Sequence, residues 1–324
     1  MKITIIGTGA YSIAIALMLA KKKNNYIVMW SENSKLVEDY QKNHQTPIFP
    51  KLKMPNNIEI TNSYQEALKE TNLIFLITSA KYIIDVCKNM ELYYKNTPIC
   101  IASKGIHHES LSTLADLVKK RLKTNNIAVI SGPTFAIDLV NENPCALAIA
   151  GFNKKTVSLV IENLQNTTLK LRYSSDIKGI QLCGSLKNII AIAAGILKGL
   201  GCTESTRAFL INEAVHDLKE MIHALGGKKK TILSYAGIGD LLLTCSSEKS
   251  RNFSFGEVIG RTKDKNKIQD YLDNFTVEGY YTLLSISKLL EKRGINIPLI
   301  KTIYNIVYEN ENPDVLKTFL ITKD

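Results

Sequence analysis

The sequence predicts an α/β N-terminal domain built on a parallel, doubly wound sheet, followed by an all-α C-terminal domain. Three observations predict it. Short β-branched runs alternate with amphipathic stretches through the first half. A Gly7-Thr8-Gly9 turn follows the first of those runs. From Ser174-Ser175-Asp176 onward, apolar residues recur at helical spacing almost to the end. The 324 residues suit two domains, and the expected division is 1–175 and 176–324.

In chain order, Ile3-Thr4-Ile5-Ile6 reads as a strand and 11–22 as a helix. A second strand follows over 26–30, and the runs at 73–77, 99–102 and 127–130 repeat the pattern, with helical periodicity over 81–90 and 111–122. Apolar runs without polar alternation suit strands covered on both faces. Ser174, Ser175 and Asp176 bring capping chemistry to the junction. Beyond it, 180–197, 205–225, 280–292 and 298–309 read as helices. Clefts between domains of this kind are the usual place for a small-molecule site.

Composition narrows the function classes. Hydrophobic residues at 45 % and charged residues at 22 % support a full core and exclude a disordered tail or a disulfide miniprotein. The 41 Lys and Arg against 30 Asp and Glu give a net charge of +11. The excess lies in short clusters, Lys21-Lys22-Lys23, Lys119-Lys120-Arg121 and Lys228-Lys229-Lys230, not in one long basic tract with interleaved aromatics. Solvated lysines and attraction toward small anionic ligands are expected, and no nucleic-acid partner. The six cysteines form no C-x-x-C pair and no zinc spacing with a histidine, so a reducing, cytoplasmic compartment and no metal are expected. His107-His108, His216 and His223 receive no catalytic assignment. The N-terminal apolar stretch is broken by Gly7-Thr8-Gly9 and lacks a small-residue cleavage site, which argues against a signal peptide. The uncharged run 189–197 is half a membrane span, so neither secretion nor a membrane span is expected.

The glycine turn carries the first functional reading. Gly7 permits a tight turn, Gly9 lets backbone approach a pyrophosphate, and the helix N-terminus behind them presents N–H groups and a positive dipole end. The third position of this fingerprint holds Ser12. Glu32, just past the second strand, stands where a carboxylate takes ribose hydroxyls and would repel a 2′-phosphate, which favours NAD over NADP.

Four further segments stand out as a set: Ser103-Lys104-Gly105, Ser131-Gly132-Pro133-Thr134-Phe135-Ala136, Gly184-Ser185-Leu186-Lys187-Asn188, and Gly237-Ile238-Gly239-Asp240 through to Ser250-Arg251-Asn252. In this order, behind the glycine turn, they resemble the bacterial NAD(P)-dependent glycerol-3-phosphate dehydrogenase family, from Gly7 to Glu278. The resemblance implies a Rossmann-type N-terminal domain and a helical C-terminal domain in a 6-phosphogluconate-dehydrogenase-like plan. It implies interconversion of dihydroxyacetone phosphate and sn-glycerol 3-phosphate with NAD or NADP, supplying the glycerol backbone of phospholipids. By the same resemblance, Lys187 is the acid/base residue and Lys104 contacts substrate and cofactor. Gly132, Thr134, Asp240, Ser250, Arg251 and Asn252 line the substrate site, and Ala10, Tyr11, Ala136, Arg251 and Glu278 face the cofactor. Asn188 and Thr244 match positions that help hold the substrate in eukaryotic relatives, and a homodimer is a family-level expectation. Besides Ser12, the chain departs from the family at Thr78-Ser79 (usually Pro-Ser), Ser205 (usually Asn), Glu213 (usually Arg) and Glu32, where many members carry a basic residue.

The residue types suit the chemistry. Hydride reduction of a ketone leaves negative charge on oxygen, and an ammonium group there stabilises the charge and gives the proton. Desolvation of Lys187 in its apolar stretch would lower its pKa, and Asp240 would oppose that. Arg251 suits bidentate binding of a phosphate, with Ser250 and Asn252 as neutral donors. Lys104 follows a strand at its C-terminal end, where open parallel sheets place ligands. Each has a plainer reading: a snorkelling helix lysine for Lys187, a solvated loop lysine for Lys104, and surface turns for 237–239 and 250–252. Two other functions fit the same plan. One is a dehydrogenase of hydroxy or keto acids, separated by a substrate panel in which loss of Arg251 hurts a phosphorylated substrate far more than an unphosphorylated one. The other is a catalytically inactive dinucleotide-binding sensor, against which the joint presence of Lys104, Lys187, Asp240 and Arg251 speaks.

Overall fold

The computed structural model describes residues 1–107, 109–262 and 264–323, so His108 lies outside the described residues. The chain forms two compact units, Met1–Lys104 with Leu114–Ile177, and Gly105–Thr113 with Lys178–Asp324. The division is therefore not contiguous in sequence, because Gly105–Thr113 belongs with the second unit.

The first unit alternates strands and helices: β1 (Lys2–Ile6), α1 (Ala10–Ala20), β2 (Tyr26–Trp30), α2 (Ser34–Asn43), β3 (Ile58–Thr61), α3 (Tyr64–Leu68), β4 (Leu73–Leu76), α4 (Ile83–Glu91), β5 (Ile99–Ile101), α5 (Leu114–Leu122), β6 (Ile127–Ser131), α6 (Ala136–Val140), β7 (Cys145–Gly151), α7 (Lys154–Leu164) and β8 (Leu169–Tyr173). All eight strands form one sheet in the order β3-β2-β1-β4-β5-β6-β7-β8. Every residue of β4, β5 and β6 is buried, which is why these strands read as unbroken apolar runs. Asn33 and Asn153 start α2 and α7 by accepting the Leu36 and Lys155 N–H groups.

The sheet is the parallel, doubly wound one that the sequence predicts, with one reversal at its far side. β1 through β6 pair in parallel, but β7 runs antiparallel to β6, and β8 then follows β7 in parallel. The reason lies in the connection. The only helix between β6 and β7 is α6, which packs on α1. Its five residues rise about 7.5 Å, less than half the roughly 16 Å that a five-residue strand spans, so it does not carry the chain back across the sheet. The helix expected over 111–122 begins only at Leu114, because Leu111 adopts the left-handed region at φ 53°.

The second unit is helical: α8 (Ile177–Gly199), α9 (Glu204–Ala224), α10 (Asp240–Cys245), α11 (Arg251–Thr262), α12 (Lys265–Asn274), α13 (Glu278–Lys292), α14 (Pro298–Tyr308) and α15 (Val315–Thr322). Helix α8 is its axis, buried from Gly179 to Leu197. By length and composition it could cross a membrane, alone in this among the described residues, yet every residue of its apolar window is buried inside the protein. The uncharged run 189–197 understated it, because Gln181, Ser185, Lys187 and Asn188 are polar residues buried on the same helix.

Helix α11 lies against α8 with no side chains between the backbones. A Cβ on Gly195 would sit 1.9 Å from the Phe253 carbonyl oxygen, and one on Gly256 would sit 2.0 Å from that of Ile192. Gly199 and Gly260 repeat the approach one turn further on, against the carbonyls of Glu257 and Ile196. On α9, Glu213 and Asp217 both pair with Lys323, at 3.3 and 2.9 Å, so the acid at 213 anchors the C-terminal end of the chain. Ser205 is exposed in the first turn of α9.

Candidate active site

In the first unit, the sequence-predicted residues gather at the C-terminal ends of β1, β2, β5 and β6. Gly7 turns the chain off β1 at φ +120°, and its N–H donates to the Trp30 carbonyl at 3.0 Å. A Cβ at Gly7 would lie 2.4 Å from the Ile77 carbonyl oxygen, so only glycine fits. Gly9, the N-cap of α1, differs: a Cβ there would meet nothing within 4 Å. The space over the first turn of α1 is open, with Ala10 at its start and no acidic residue in that turn. This is the cradle that a pyrophosphate requires, so the residues present fit a dinucleotide. Ser12 does not intrude, because it is fully buried with its hydroxyl donating to the Ile77 carbonyl at 3.2 Å. Thr8 and Ser31 share a hydroxyl contact at 3.0 Å that ties the loop to the end of β2, and exposed Glu32 follows directly. Trp30, stacked on Tyr64, ends β2 there.

Around the loop after β6, Tyr11 Oη and Thr134 Oγ1 lie 2.9 Å apart. The half-buried Lys104 ammonium donates to the Gly132 carbonyl at 3.3 Å. Ala136 begins α6, which packs on α1. Lys104, Gly132, Thr134 and Tyr11 are thus brought together in this unit, while Glu32 sits apart at the end of β2.

In the second unit, Lys187 is 7 % exposed and Asp240 1 % exposed. The Lys187 Nζ donates to Asp240 Oδ1 at 2.6 Å and to Thr244 Oγ1 at 2.7 Å. Thr244 in turn donates to the Asp240 backbone carbonyl at 2.6 Å. Lys187 is therefore held by a buried carboxylate and a buried hydroxyl, and is not a snorkelling surface lysine. Asp240 opens α10 immediately after a kink at Gly237 (φ −90°, ψ −107°), which a helix position does not adopt. The first turn of α10 favours its negative charge. Thr244 lies one turn on, on the same face, and that i, i+4 spacing is the sequence signal for its contact. Cys245, beside this pair, is fully buried. Burial pushes its thiol well above the usual range, with the Lys187 charge opposing and the Asp240 charge adding.

Residues 250–252 divide their roles. Ser250 is 4 % exposed, and its Oγ accepts the Phe253 N–H at 3.3 Å, capping α11. Exposed Arg251 begins α11, and its carbonyl accepts from Tyr271 Oη at 3.2 Å. Asn252 Oδ1 accepts the Gly279 N–H at 2.8 Å, which fixes the start of α13 where Glu278 sits. Gly279 also packs on the Asn188 carbonyl, which a Cβ would approach to 2.7 Å. Asn188, Asn252 and the start of α13 therefore meet beside Lys187 on α8. Among the described residues, no group of three or more His, Cys, Asp or Glu side chains is placed to hold a metal ion.

Two family profiles match the chain in succession. The N-terminal profile of the NAD-dependent glycerol-3-phosphate dehydrogenases covers residues 2–157, and the C-terminal profile covers 176–318. A glycerol-3-phosphate dehydrogenase [NAD(P)+] from Fusobacterium nucleatum is 31 % identical, covering 100 % of this chain and 97 % of that protein. One from Ehrlichia ruminantium is 33 % identical over 97 % of this chain and 98 % of that protein. The crystal structure of glycerol-3-phosphate dehydrogenase from Coxiella burnetii superposes with a TM-score of 0.91 at 29 % identity, over 99 % of each chain. D-mandelate dehydrogenase, with a TM-score of 0.64 at 17 % identity over 98 % of this chain and all of that one, shares the fold alone.

Proposed function

The chain belongs to the NAD-dependent glycerol-3-phosphate dehydrogenase family, and from that premise we propose that it interconverts dihydroxyacetone phosphate and sn-glycerol 3-phosphate with NAD(H) or NADP(H). The observation that carries the mechanism is the buried contact of Lys187 with Asp240 and Thr244. When bound, the nicotinamide supplies a hydride in the reduction and accepts one in the oxidation. Lys187 then does the proton work. As the ketone carbon gains the hydride, its ammonium stabilises the charge growing on oxygen and gives up one proton to it. In the oxidation, the neutral amine takes the hydroxyl proton back. Asp240 holds the ammonium by charge, and Thr244 fixes its direction through a hydroxyl already committed to the Asp240 carbonyl. The arrangement is preorganised, so little reorientation is needed as charge develops.

The remaining residues bind and orient. Gly7, Gly9, Ala10 and Tyr11 at the start of α1 would hold the pyrophosphate, and Ala136, Arg251 and Glu278 would face the cofactor. Lys104, Gly132, Thr134 and Asn188 would hold the triose. Arg251 would take the phosphate, and Ser250 and Asn252 would support it by building the start of α11 and α13. Glu32 would accept the adenosine ribose hydroxyls and disfavour a 2′-phosphate, giving a preference for NAD. We place the activity in the cytoplasm, in glycerol phosphate supply for phospholipids, with a homodimer as the expected assembly.

Purified protein should oxidise NADH or NADPH only when dihydroxyacetone phosphate is supplied. Lys187→Ala should lower kcat about a thousandfold. Its dinucleotide affinity, read from fluorescence of the single tryptophan, Trp30, should be near that of the parent chain. Parental turnover in Lys187→Ala would remove this lysine from the mechanism.

A further inference from the structure

Lys104 is the last residue of its segment of the first unit, and Gly105 is the first of a segment belonging to the second. The backbone on either side is held by a serine hydroxyl. Ahead of Lys104, the buried Ser103 Oγ accepts the Thr78 N–H at 3.0 Å and donates to the Leu76 carbonyl at 3.2 Å. Behind it, the Gly105 N–H donates to Ser185 Oγ at 3.1 Å, and the Ser185 hydroxyl donates onward to the Gln181 carbonyl at 2.8 Å. A hydroxyl has one proton and two lone pairs, so giving the proton to Gln181 leaves Oγ a fixed acceptor aimed at the amide. Gly105 takes φ +130°, a conformation that suits glycine at this turn.

Ser185 is 0 % exposed in α8, two residues before Lys187. Alanine would serve the helix better at such a position; the hydroxyl bonds the Gln181 carbonyl within the helix, and its acceptor side alone reaches outside it, to the Gly105 amide. The amide it grips is the one shared by Lys104 and Gly105. Fixing that plane fixes ψ of Lys104, and with it the direction in which the side chain leaves the backbone. We propose that Ser185 is a positioning residue for Lys104: through the Gly105 amide it sets where the Lys104 ammonium reaches its ligand. This rests on Lys104 contacting the substrate, as read above.

A double-mutant cycle on the full-length enzyme tests it, with Ser185→Ala, Lys104→Ala and the pair. Ser185→Ala keeps the helix and removes only the acceptor. It should raise the KM for dihydroxyacetone phosphate about tenfold with kcat within about twofold. In the Lys104→Ala background, the same change should shift KM by less than about twofold, because the group it positions is gone. An equal shift in both backgrounds, or no shift from Ser185→Ala alone, overturns the proposal and leaves the assignment of Lys104 standing. A parental KM in Lys104→Ala overturns that assignment and the proposal with it.

Discussion

Replacing Gly195 by alanine tests how the second unit is assembled. The new Cβ would stand 1.9 Å from the Phe253 carbonyl oxygen and 2.8 Å from the Glu257 nitrogen. Ordinary contact begins near 3.4 Å, so α8 and α11 would have to part by about 1.5 Å. Both obstacles are backbone, and no rotamer change relieves them. Overpacking of this kind costs about 3 kcal/mol, at the upper end of its range. Alanine's better helix propensity returns about 1 kcal/mol, leaving a net loss of roughly 2 kcal/mol. That corresponds to a fall in Tm of roughly 4–8 °C, measured by far-UV circular dichroism, with Ser205→Ala on the exposed face of α9 as an unchanged control. Because α11 begins with Arg251, the KM for the phosphorylated substrate should rise in the same variant. A Gly195→Ala protein that melts at or above the parental temperature would refute the direct backbone contact.

Three other outcomes are expected. Asp240→Asn removes the charge opposite a buried ammonium while keeping the shape; breaking such a pair costs about 3–5 kcal/mol, and the amide dipole retains part of it. Tm should drop and kcat should fall at least about tenfold, and a kcat within about twofold of the parent would show that the carboxylate is dispensable. With the parent chain, kcat/KM should be higher with NADH than with NADPH, and Glu32→Ala should narrow the gap; a strong native preference for NADPH would reverse the reading of Glu32. The third concerns alkaline pH. Burial pushes the Cys87 thiol up to about 12 and raises Cys100 and Cys245 in the same direction, from an ordinary value near 9. Above that ordinary value the unfolded chain loses these protons while the folded chain keeps them. Stability should therefore fall as pH rises from about 9 toward 12, by about 1.4 kcal/mol per pH unit per thiol. Denaturation midpoints that hold steady or climb over that interval would contradict the burial of these thiols.

The parts of the fold legible in the sequence are those where one physical demand acts alone. Strands β4, β5 and β6 are buried at every residue, so their sequences are continuous apolar runs. β3 and β8 are the sheet edges, where Glu59 is exposed between two buried isoleucines and Lys170 between buried Leu169 and half-buried Leu171, and neither reads as an apolar run. β7 is rich in alanine, a weak strand former, and its reversal depends on the shortness of α6. At the site, the turn at Gly7 was readable because glycine there answers a backbone requirement. The contact of Lys187 with Asp240 was not, because 53 residues separate the partners and local periodicity carries no distance information. It entered through family resemblance, as did Thr244. Ser250 and Asn252 illustrate the opposite difficulty. As polar residues beside an arginine they read as phosphate donors, and the sequence carries no sign that their oxygens also cap α11 and hold the start of α13.

The chain passes between its two units at 104–105, 113–114 and 177–178. Severing it once, near 175, would therefore not yield two self-sufficient pieces. The downstream piece would carry a Ser185 deprived of the amide it grips, and the upstream piece would trail a stretch with no place in its own core. Exchange of halves between related enzymes faces the same obstacle, since a graft at a single point separates Gly105–Thr113 from the helices it belongs with.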